Sequence, residues 1–242
     1  MILQPHRIVT WPRTPPPLDA AQLEAREKFM QLWHDDLPDK YRTLEQFNHG
    51  WVAGLPHPAG CKSLEIGAGI GGHLKYENLS DQDYYCLELR PSFCGQLEEK
   101  IGAGHVLCGD VQERIPTESR CWDRVIAIHT LEHLPALPGA LKEIKRVLKP
   151  GGIFDIVIPC EGGFVYKTAR RVSSQRMFER EFKMSFKPII QNEHVSEYPE
   201  IITLLQKEFK VEKSLFYPFA IPIYQVNLCV GLRLRSRLID LS

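Results

Sequence analysis

Five short apolar segments, each with the composition of a β-strand, recur between residues 62 and 158. They are residues 62–66, 83–89, 105–108, 122–128 and 152–158. Helical patterns lie between them and are clearest at 92–101 and 137–148. Strands that alternate with helices are typical of βαβ units, and right-handed crossovers then place helices on both faces of a parallel sheet. The sequence therefore predicts an α/β fold built on a doubly wound sheet.

Further segments are predicted around this core. Residues 1–56 form a proline-rich extension followed by helices that pack on the core, and Asp19 with Gln22 resembles a capping box at the first helix. Residues 57–242 form the main domain, in which residues 160–192 are too long for a simple connection and are expected to be a cap insertion. The late elements are a helix over 196–209 and two closing strands over 210–217 and 226–235.

Charge and hydropathy exclude several classes of protein. The 242 residues carry 30 Lys and Arg against 30 Asp and Glu, whereas a protein that coats nucleic acid is usually basic. The most apolar late segment, residues 216–232, contains prolines and is shorter than the roughly 20 residues of a membrane helix. The start of the chain lacks the apolar run of a secretory signal. We therefore expect a cytoplasmic protein with neither nucleic acid nor membrane as a partner.

The 7 cysteines give no metal or redox motif. No pair has the C-x-x-C spacing that zinc and redox sites use. Cys61, Cys86 and Cys108 fall in apolar runs. We expect buried, reduced thiols and no metal site.

A glycine-rich run follows the first strand and is predicted to open a helix. Glycine lets the backbone turn tightly and approach a ligand closely. In one register, Gly67, Gly69 and Gly72 satisfy the dinucleotide pattern G-x-G-x-x-G. In the other, Gly71 replaces Gly72 to give G-x-G-x-G, and the acidic Glu65 stands two positions before the first glycine. Glycine spacing alone does not separate the two.

Acidic residues at three strand ends favour the second register. Glu65 lies where a carboxylate repels a pyrophosphate but suits an ammonium group. Glu88 ends the second strand, where a carboxylate accepts both hydroxyls of a ribose. Asp110 follows the third strand and can accept a hydrogen bond from the exocyclic amine of a base. Ammonium, ribose and adenine in this order describe S-adenosylmethionine.

The sequence resembles the class I S-adenosylmethionine-dependent methyltransferases, in particular the methyltransferase-11-like group that acts mostly on small molecules. The resemblance covers about residues 61–159 and consists of five pieces in the family order. They are LEIGAGIGG, LELRPS, CGDVQERIP, WDRVIAIHTLEHLPALPGALKEIKRVLKPGG and IFDIVIP. It implies a Rossmann-like, seven-stranded sheet that closes with an antiparallel β-hairpin.

The resemblance also implies which residues bind the cofactor. In this family the glycine loop holds the methionine part, the acid after the second strand holds the ribose, and the Gly-Asp after the third strand faces the adenine. Carried over, the residues are Glu65, Gly67, Ala68, Gly69, Gly71, Glu88, Leu89, Asp110, Val111, Ile128 and His129. Ile128 and His129, after the fourth strand, are expected beside the methyl group that is transferred.

Several of the marked residues also have a plain structural interpretation. Glu88 and Asp110 fit solvated acids at strand ends. Glu132 with His133 fits capping of the helix that follows the fourth strand. Arg124 fits a surface position. These alternatives stay open at the level of sequence.

A catalytic side chain is needed only if the acceptor has to lose a proton. Methyl transfer at a sulfonium otherwise requires alignment of donor and acceptor. Histidine accepts protons best near neutral pH, and the candidates are His129, His133 and His194. His129 is nearest the expected methyl group, and His194 precedes the late helix. A structural role is the alternative for each.

The cap carries an unusual charge. Residues 161–190 contain seven Lys and Arg and three Glu, a net charge of +4 in a neutral chain. Arg176 and Arg180 are four apart and share a helix face, whereas the adjacent Arg170 and Arg171 point about 100° apart. We expect the Arg176 and Arg180 face, with either Arg170 or Arg171, to receive an anionic acceptor. A solvated helix face is the alternative.

These patterns predict an enzyme that moves a methyl group from S-adenosylmethionine to oxygen or nitrogen of a small biosynthetic metabolite, leaving S-adenosylhomocysteine. An anionic metabolite is one hypothesis for the acceptor. The fourth strand lacks the Asn/Asp-Pro-Pro-aromatic tetrapeptide of enzymes that methylate exocyclic amines, which disfavours DNA bases and glutamine. A non-catalytic S-adenosylmethionine-binding module is the first alternative, and a nicotinamide-dependent oxidoreductase is the second. A monomer or a homodimer is expected.

Overall fold

The computed structural model describes residues 10–40 and 42–236. Its helices are α1 (Ala20–Lys40), α2 (Arg42–Glu45), α3 (Trp51–Ala53), α4 (Pro91–Ile101), α5 (Leu137–Val147), α6 (Phe164–Arg170), α7 (Arg176–Phe182), α8 (Lys187–Glu193) and α9 (Tyr198–Glu208). Its strands are β1 (Cys61–Ile66), β2 (Gln82–Glu88), β3 (Val106–Cys108), β4 (Trp122–Ile128), β5 (Leu148–Pro159), β6 (Phe209–Tyr217) and β7 (Cys229–Ser236). Of the extended segment that the N-terminal prolines predict, residues 1–9 lie outside the described residues.

The seven strands form one sheet in the order β3-β2-β1-β4-β5-β7-β6. Strands β1 to β5 pair in parallel, and β7 runs antiparallel between β5 and β6. The chain direction across the sheet reverses between β1 and β4, and ligands of open α/β sheets bind outside the carboxyl ends of the strands at such a point. The predicted α/β fold with a closing antiparallel hairpin is confirmed.

One expected element is missing. Residues 69–76, predicted to open a helix, form successive turns instead, and β2 follows without an α-helix between it and β1. The physical reason is the composition of the loop. Four glycines fall within residues 67–72, and each costs a helix about 1 kcal/mol relative to alanine.

The centre of the sheet is apolar on both faces. Val125, Ile126 and Ala127 of β4 are fully buried, as expected for a parallel strand covered on both sides. Helix α5 packs one apolar stripe on the sheet, and its Leu141 and Ile144 are buried. This packing fixes the strand ends that carry the site.

A buried ionic network lies on the same sheet, and here the expectation for Arg124 is wrong. Arg124 is 0% exposed. It donates to the carboxylates of Asp155 (Nε–Oδ2, 2.8 Å) and Glu77 (Nη1–Oε1, 3.0 Å). It also donates to the carbonyl oxygen of Val52 (2.9 Å), and Asp155 accepts further from Arg233 (Nε–Oδ1, 2.7 Å). An arginine in an apolar strand is buried because its acidic partners come from other elements.

Helix α1 anchors the cap, which consists of α6, α7 and α8 with a π-helical turn over Arg171–Gln175. The Phe29 ring meets the rings of Phe178 and Phe186 edge-on, with centroids 5.2 Å and 5.6 Å away. The predicted capping box of α1 is present. The Asp19 N–H donates to Gln22 Oε1 (3.0 Å), and the Gln22 N–H donates to Asp19 Oδ1 (2.8 Å).

A disulfide links Cys94 of α4 to Cys108 of β3, with Cα atoms 5.9 Å apart. The expectation of reduced thiols is therefore wrong for this pair. Helix α4 packs along β3 and brings together two cysteines whose spacing along the chain matches no motif. The free cysteines are Cys61, Cys86, Cys121, Cys160 and Cys229.

Candidate active site

The turn after β1 brings the backbone of three glycines to the carboxyl edge of the sheet. Gly67, Gly69 and Gly71 have φ angles of +65°, +57° and +81°, in the left-handed region that favours glycine. A Cβ at Gly67 would lie 2.7 Å from Thr130 Oγ1, whereas a Cβ at Gly69 would meet no atom within 4 Å. The loop is therefore pressed against the end of β4 at Gly67 and is open at Gly69, where a ligand can approach the backbone.

Glu88, the last residue of β2, faces this loop. Its Oε2 accepts from the Gly69 N–H (2.9 Å), and its Oε1 accepts from the Arg90 N–H (2.9 Å). Each carboxylate oxygen has more than one acceptor site, so both oxygens can accept again. The structure thus places a bidentate acceptor beside the open Gly69, which is the arrangement that vicinal ribose hydroxyls require. Ribose binding by Glu88 stays a prediction.

Asp110 lies beyond β3, the next strand outward. Its Oδ1 accepts from the backbone N–H of Gln112 (2.8 Å), and both its oxygens lie 3.2 Å from the Gln112 side-chain amide. Gln112 Oε1 accepts from the Ala136 N–H (2.7 Å), which ties this turn to the start of α5. Val111 is buried and Leu89 is 60% exposed. Asp110 therefore shapes the turn, and its contact with adenine stays a prediction.

Glu65 points into the protein. The side chain is 3% exposed, and Tyr84 Oη donates to its Oε2 (3.0 Å). Burial raises the pKa of the Glu65 carboxyl to about 8, and the hydrogen bond from Tyr84 offsets only part of that effect. The carboxyl is neutral at pH 7. Contact with an ammonium group stays a prediction, and it requires Glu65 to lose its proton as the cation approaches.

Glu65→Gln is expected to stabilise the protein increasingly as the pH rises from 4.5 to 8. The folded state holds the proton of Glu65 up to about pH 8, whereas the unfolded state loses it near pH 4.5. Protonation of Glu65 therefore favours folding at low pH, and this contribution is lost as the pH rises. Glutamine does not titrate, so at about 1.4 kcal/mol per pH unit the variant gains about 3 kcal/mol at pH 7. Urea unfolding at pH 5 and pH 8 measures the gain. An equal gain at both pH values contradicts the burial of a titrating carboxyl.

His129 follows β4 at the same sheet edge. Its φ of +50° is uncommon for a residue with a Cβ. Its Nδ1 lies 3.2 Å from Oε1 of Glu132, which is 1% exposed. A proton on Nδ1 that points at this carboxylate leaves Nε2 as the acceptor nitrogen. Nε2 lies 3.9 Å from Cys229 Sγ, so the ring is held between β4 and β7.

Glu132 remains charged in spite of its burial. Burial alone favours the neutral acid, but the hydrogen bond from His129, with the electrostatic effects of the neighbouring histidines, lowers the pKa of Glu132 to about 2. Burial, with a smaller effect of His194, lowers the pKa of His133. The Glu132 side chain therefore does not cap α5. Its Oε2 has no hydrogen-bond partner among the described residues.

A second charged cluster lies on the cap side. Glu161 accepts from Arg170 and from His194 Nδ1. The His133 and His194 rings meet edge-on with centroids 4.8 Å apart, and His133 Nδ1 donates to the carbonyl oxygen of Glu193 (2.8 Å). These contacts give both histidines structural partners. No sequence motif marks Glu161. No cluster of potential ligands in the described part of the chain could hold a metal ion.

The basic residues of the cap divide between two surfaces. The Arg170 guanidinium turns inward and lies 5.7 Å from the centroid of the Tyr166 ring. Arg171, Arg176 and Arg180 are exposed, and no described contact joins them to the inner cluster. Of the adjacent arginines, Arg170 is therefore the one that turns inward and pairs with Glu161. Anion binding by Arg176 and Arg180 stays a prediction.

The geometry of the glycine loop fits the G-x-G-x-G register better than the dinucleotide register G-x-G-x-x-G. A bound dinucleotide places its pyrophosphate at the N-terminus of a helix that follows the loop, and residues 69–76 form turns instead. The open backbone at Gly69 and the adjoining Glu88 carboxylate fit an adenosine whose ribose hydroxyls are free. The residues present therefore fit S-adenosylmethionine.

Comparison with known proteins matches part of this chain to methyltransferases. The sequence pattern of a family described as a methyltransferase domain matches residues 64–156. A sterol 24-C-methyltransferase of Gibberella zeae is 31% identical over 122 residues, which cover 48% of this chain and 32% of that protein. A ubiquinone biosynthesis O-methyltransferase of Burkholderia vietnamiensis is 27% identical over 143 residues, which cover 52% of this chain and 58% of that protein. The chain thus matches less than two thirds of the length of either relative.

The fold is also found in solved structures. An S-adenosylmethionine-dependent methyltransferase of Thermotoga maritima superposes with a TM-score of 0.59 at 20% identity, covering 88% of this chain and 99% of that one. At this identity the likeness concerns the fold alone. Residues 64–156 therefore carry the pattern of a methyltransferase domain, on a sheet with the fold of an S-adenosylmethionine-dependent methyltransferase, and the cofactor that this domain implies is S-adenosylmethionine.

Proposed function

We propose that this protein transfers the methyl group of S-adenosylmethionine to an oxygen or nitrogen atom of a small biosynthetic metabolite. The observation that carries the proposal is the meeting of three features at one sheet edge. They are the open backbone at Gly69, the Glu88 carboxylate and the hydrogen-bonded pair of His129 and Glu132. The matched relatives are named for a sterol and for ubiquinone biosynthesis, which supports a small-molecule acceptor.

The protein positions the two reactants and supplies a proton acceptor. S-adenosylmethionine, when bound, supplies a methyl group on a sulfonium with a good leaving group. The glycine loop receives the methionine part, and Glu88 orients the ribose of the adenosine part. His129 Nε2 takes the proton of the acceptor hydroxyl or amine, because Glu132 holds the proton of the ring on Nδ1. The Glu132 carboxylate then stabilises the imidazolium that forms, in the manner of other carboxylate–histidine pairs.

Calorimetry followed by a transfer assay tests this function. We expect S-adenosylmethionine and S-adenosylhomocysteine to bind and NAD(H) not to bind. A screen of metabolite pools with a tritiated methyl donor then detects transfer. Binding of NAD(H) alone would overturn the proposal in favour of an oxidoreductase. Binding of S-adenosylmethionine with no transfer to any pool favours the non-catalytic module.

Glu88→Ala is expected to weaken S-adenosylhomocysteine binding by about tenfold or more. The variant removes charge-assisted hydrogen bonds to the ribose, each worth roughly 1.5–3 kcal/mol. Calorimetry gives the dissociation constant. Asp83→Ala, at the exposed start of the same strand, is the control and should bind as the wild type does. Unchanged affinity in the Glu88 variant contradicts the ribose assignment.

If the basic cap binds an anionic acceptor, turnover depends on Arg176 and Arg180. The double change Arg176→Ala with Arg180→Ala is expected to raise the KM of the acceptor severalfold and to leave S-adenosylmethionine binding intact, because both side chains are exposed on α7. The salt dependence of kcat/KM should weaken in the same variant. Lys207→Ala with Lys210→Ala, at the opposite edge of the sheet, is the matched control. An unchanged KM at low salt shows that this face is only solvated.

A further inference from the structure

The loop between β6 and β7 presents a row of large apolar side chains to solvent. Phe219, Ile221 and Ile223 are 56%, 48% and 48% exposed, and Phe164 at the start of α6 is 74% exposed. Helix α6 packs against the turn Tyr224–Val226, so Phe164 adjoins the loop. We call Phe164, Phe219, Ile221 and Ile223 the apolar rim.

The backbone under the apolar rim is fixed. Asn227 is fully buried, and its Nδ2 donates to the carbonyl oxygens of Ile221 (2.8 Å) and Ile223 (2.9 Å). Its Oδ1 accepts from the Phe219 N–H (3.0 Å). The buried Asn227 side chain thus fixes the backbone of Phe219, Ile221 and Ile223, whose side chains are exposed. A contiguous apolar surface that the fold holds in water marks an interaction site.

The helix face beside the rim is basic. Lys167 and Arg171 follow Phe164 at the spacing of one helix face, and Val172 beyond them is 66% exposed. Neither cation has a side-chain hydrogen bond or ion pair with another described residue. Helix α6 and the loop contain no acidic residue. The neighbouring acids are the exposed Glu197 before α9 and Glu161, which is buried and paired with Arg170. The surface therefore combines apolar side chains with net positive charge.

The rim borders the candidate active site. The loop leads into β7, whose first residue, Cys229, pairs with Pro159 at the carboxyl end of β5. The Cys229 Sγ lies 3.9 Å from His129 Nε2. The apolar rim and His129 therefore lie at the same edge of the sheet.

We propose that the apolar rim, with Lys167 and Arg171, docks the protein on an anionic lipid bilayer and turns the site toward its surface. Large apolar side chains enter the boundary of the acyl chains while basic side chains bind the headgroup phosphates, which is how interfacial proteins bind membranes. An anionic lipid surface accounts for both the apolar side chains and the cations that flank them.

This inference goes beyond the proposed function and revises one expectation. From the sequence we expected no membrane partner, because no segment is long enough to span a bilayer. No helix in the described part of the chain can cross a membrane. Docking at the surface of a bilayer requires no membrane-spanning helix.

Sedimentation with lipid vesicles tests the proposal without S-adenosylmethionine or an acceptor, so its outcome is independent of methyl transfer. The full chain is mixed with vesicles of phosphatidylcholine and with vesicles that also contain phosphatidylglycerol. We expect binding to the anionic vesicles that weakens as salt is added. Phe219→Ser with Ile221→Ser, and separately Lys167→Glu with Arg171→Glu, should each lower the partition coefficient by about tenfold or more.

Matched variants at the opposite edge of the sheet serve as controls. Leu79→Ser with Val211→Ser removes apolar side chains that are 39% and 38% exposed, and Lys207→Glu with Lys210→Glu reverses two exposed charges. Both should bind vesicles as the wild type does, and far-UV circular dichroism should show all four variants folded. Absence of binding to anionic vesicles, or equal losses in rim and control variants, overturns the proposal. So does a dimer that the rim variants dissociate while vesicle binding is absent, because the occupant is then a second copy.

Discussion

Arg124→Met is expected to destabilise the protein by about 3–5 kcal/mol, the cost of removing one partner from a buried ion pair. The change leaves Glu77 without its guanidinium and Asp155 with Arg233 alone, both inside the protein. Methionine fills a similar volume, so the loss reports the uncompensated charge rather than a cavity. Denaturation with urea at pH 7 measures it.

The pH dependence of the same variant gives a second readout. Burial opposes ionisation of Glu77, but His73 and Arg124 lower the pKa of this carboxyl to about 2. Ionised Glu77 therefore stabilises the fold above about pH 4.5, and this contribution is lost as the pH falls toward 2. Without Arg124 the pKa rises, so acid unfolding should begin at a higher pH.

Arg235→Met is the control for Arg124→Met. Arg235 pairs with Glu212 on the surface, with side chains 39% and 33% exposed, and such pairs contribute about 1 kcal/mol or less. A loss in Arg124→Met no larger than in Arg235→Met contradicts the network.

His129→Asn is expected to lower the rate of methyl transfer by about 100- to 10,000-fold if His129 accepts the proton of the acceptor. Asparagine tolerates the left-handed backbone at this position better than alanine does, so the change tests the imidazole rather than the fold. Single-turnover assays with a tritiated methyl donor measure the chemical step.

Glu132→Gln provides a matched comparison. It keeps the shape of the side chain but removes the charge that holds the proton on Nδ1 of His129, so the rate should fall less than in His129→Asn. S-adenosylhomocysteine affinity should stay near that of the wild type in Glu132→Gln. Wild-type single-turnover rates in His129→Asn contradict a role for this histidine in proton transfer.

The architecture was predictable because its signals are local. Apolar segments of strand length alternate with helical periodicity, and each of the strands β1, β2 and β3 runs into a glycine or an acid that marks the ligand edge. The helix expected after the glycine loop was wrong for an equally local reason. The glycines that let a ligand approach the backbone also oppose a helix. The prediction took account of the first effect and neglected the second.

The state of the side chains was not predictable, because it depends on partners distant in sequence. Glu161 accepts a hydrogen bond from His194, which is 33 positions away in the sequence. Cys94 meets Cys108 only because α4 packs along β3. The two glutamates beside the glycine loop also differ in a way that the sequence does not show. The Glu88 carboxylate accepts a hydrogen bond from the open loop at Gly69, whereas Glu65, two positions before the first glycine, is desolvated and neutral.

The sequence by itself determined the parallel sheet, its closing strands and the edge at which we expect a ligand, since periodicity and turn residues act over a few neighbouring positions. The tertiary structure alone decided which charges are buried and what pairs with them, as in Arg124 with Asp155, 31 positions away. It also decided that Phe219, Ile221 and Ile223 face solvent, because a buried Asn227 holds their loop outward. Burial and its effect on charge depend on every element that packs against a residue, and no local pattern contains that information.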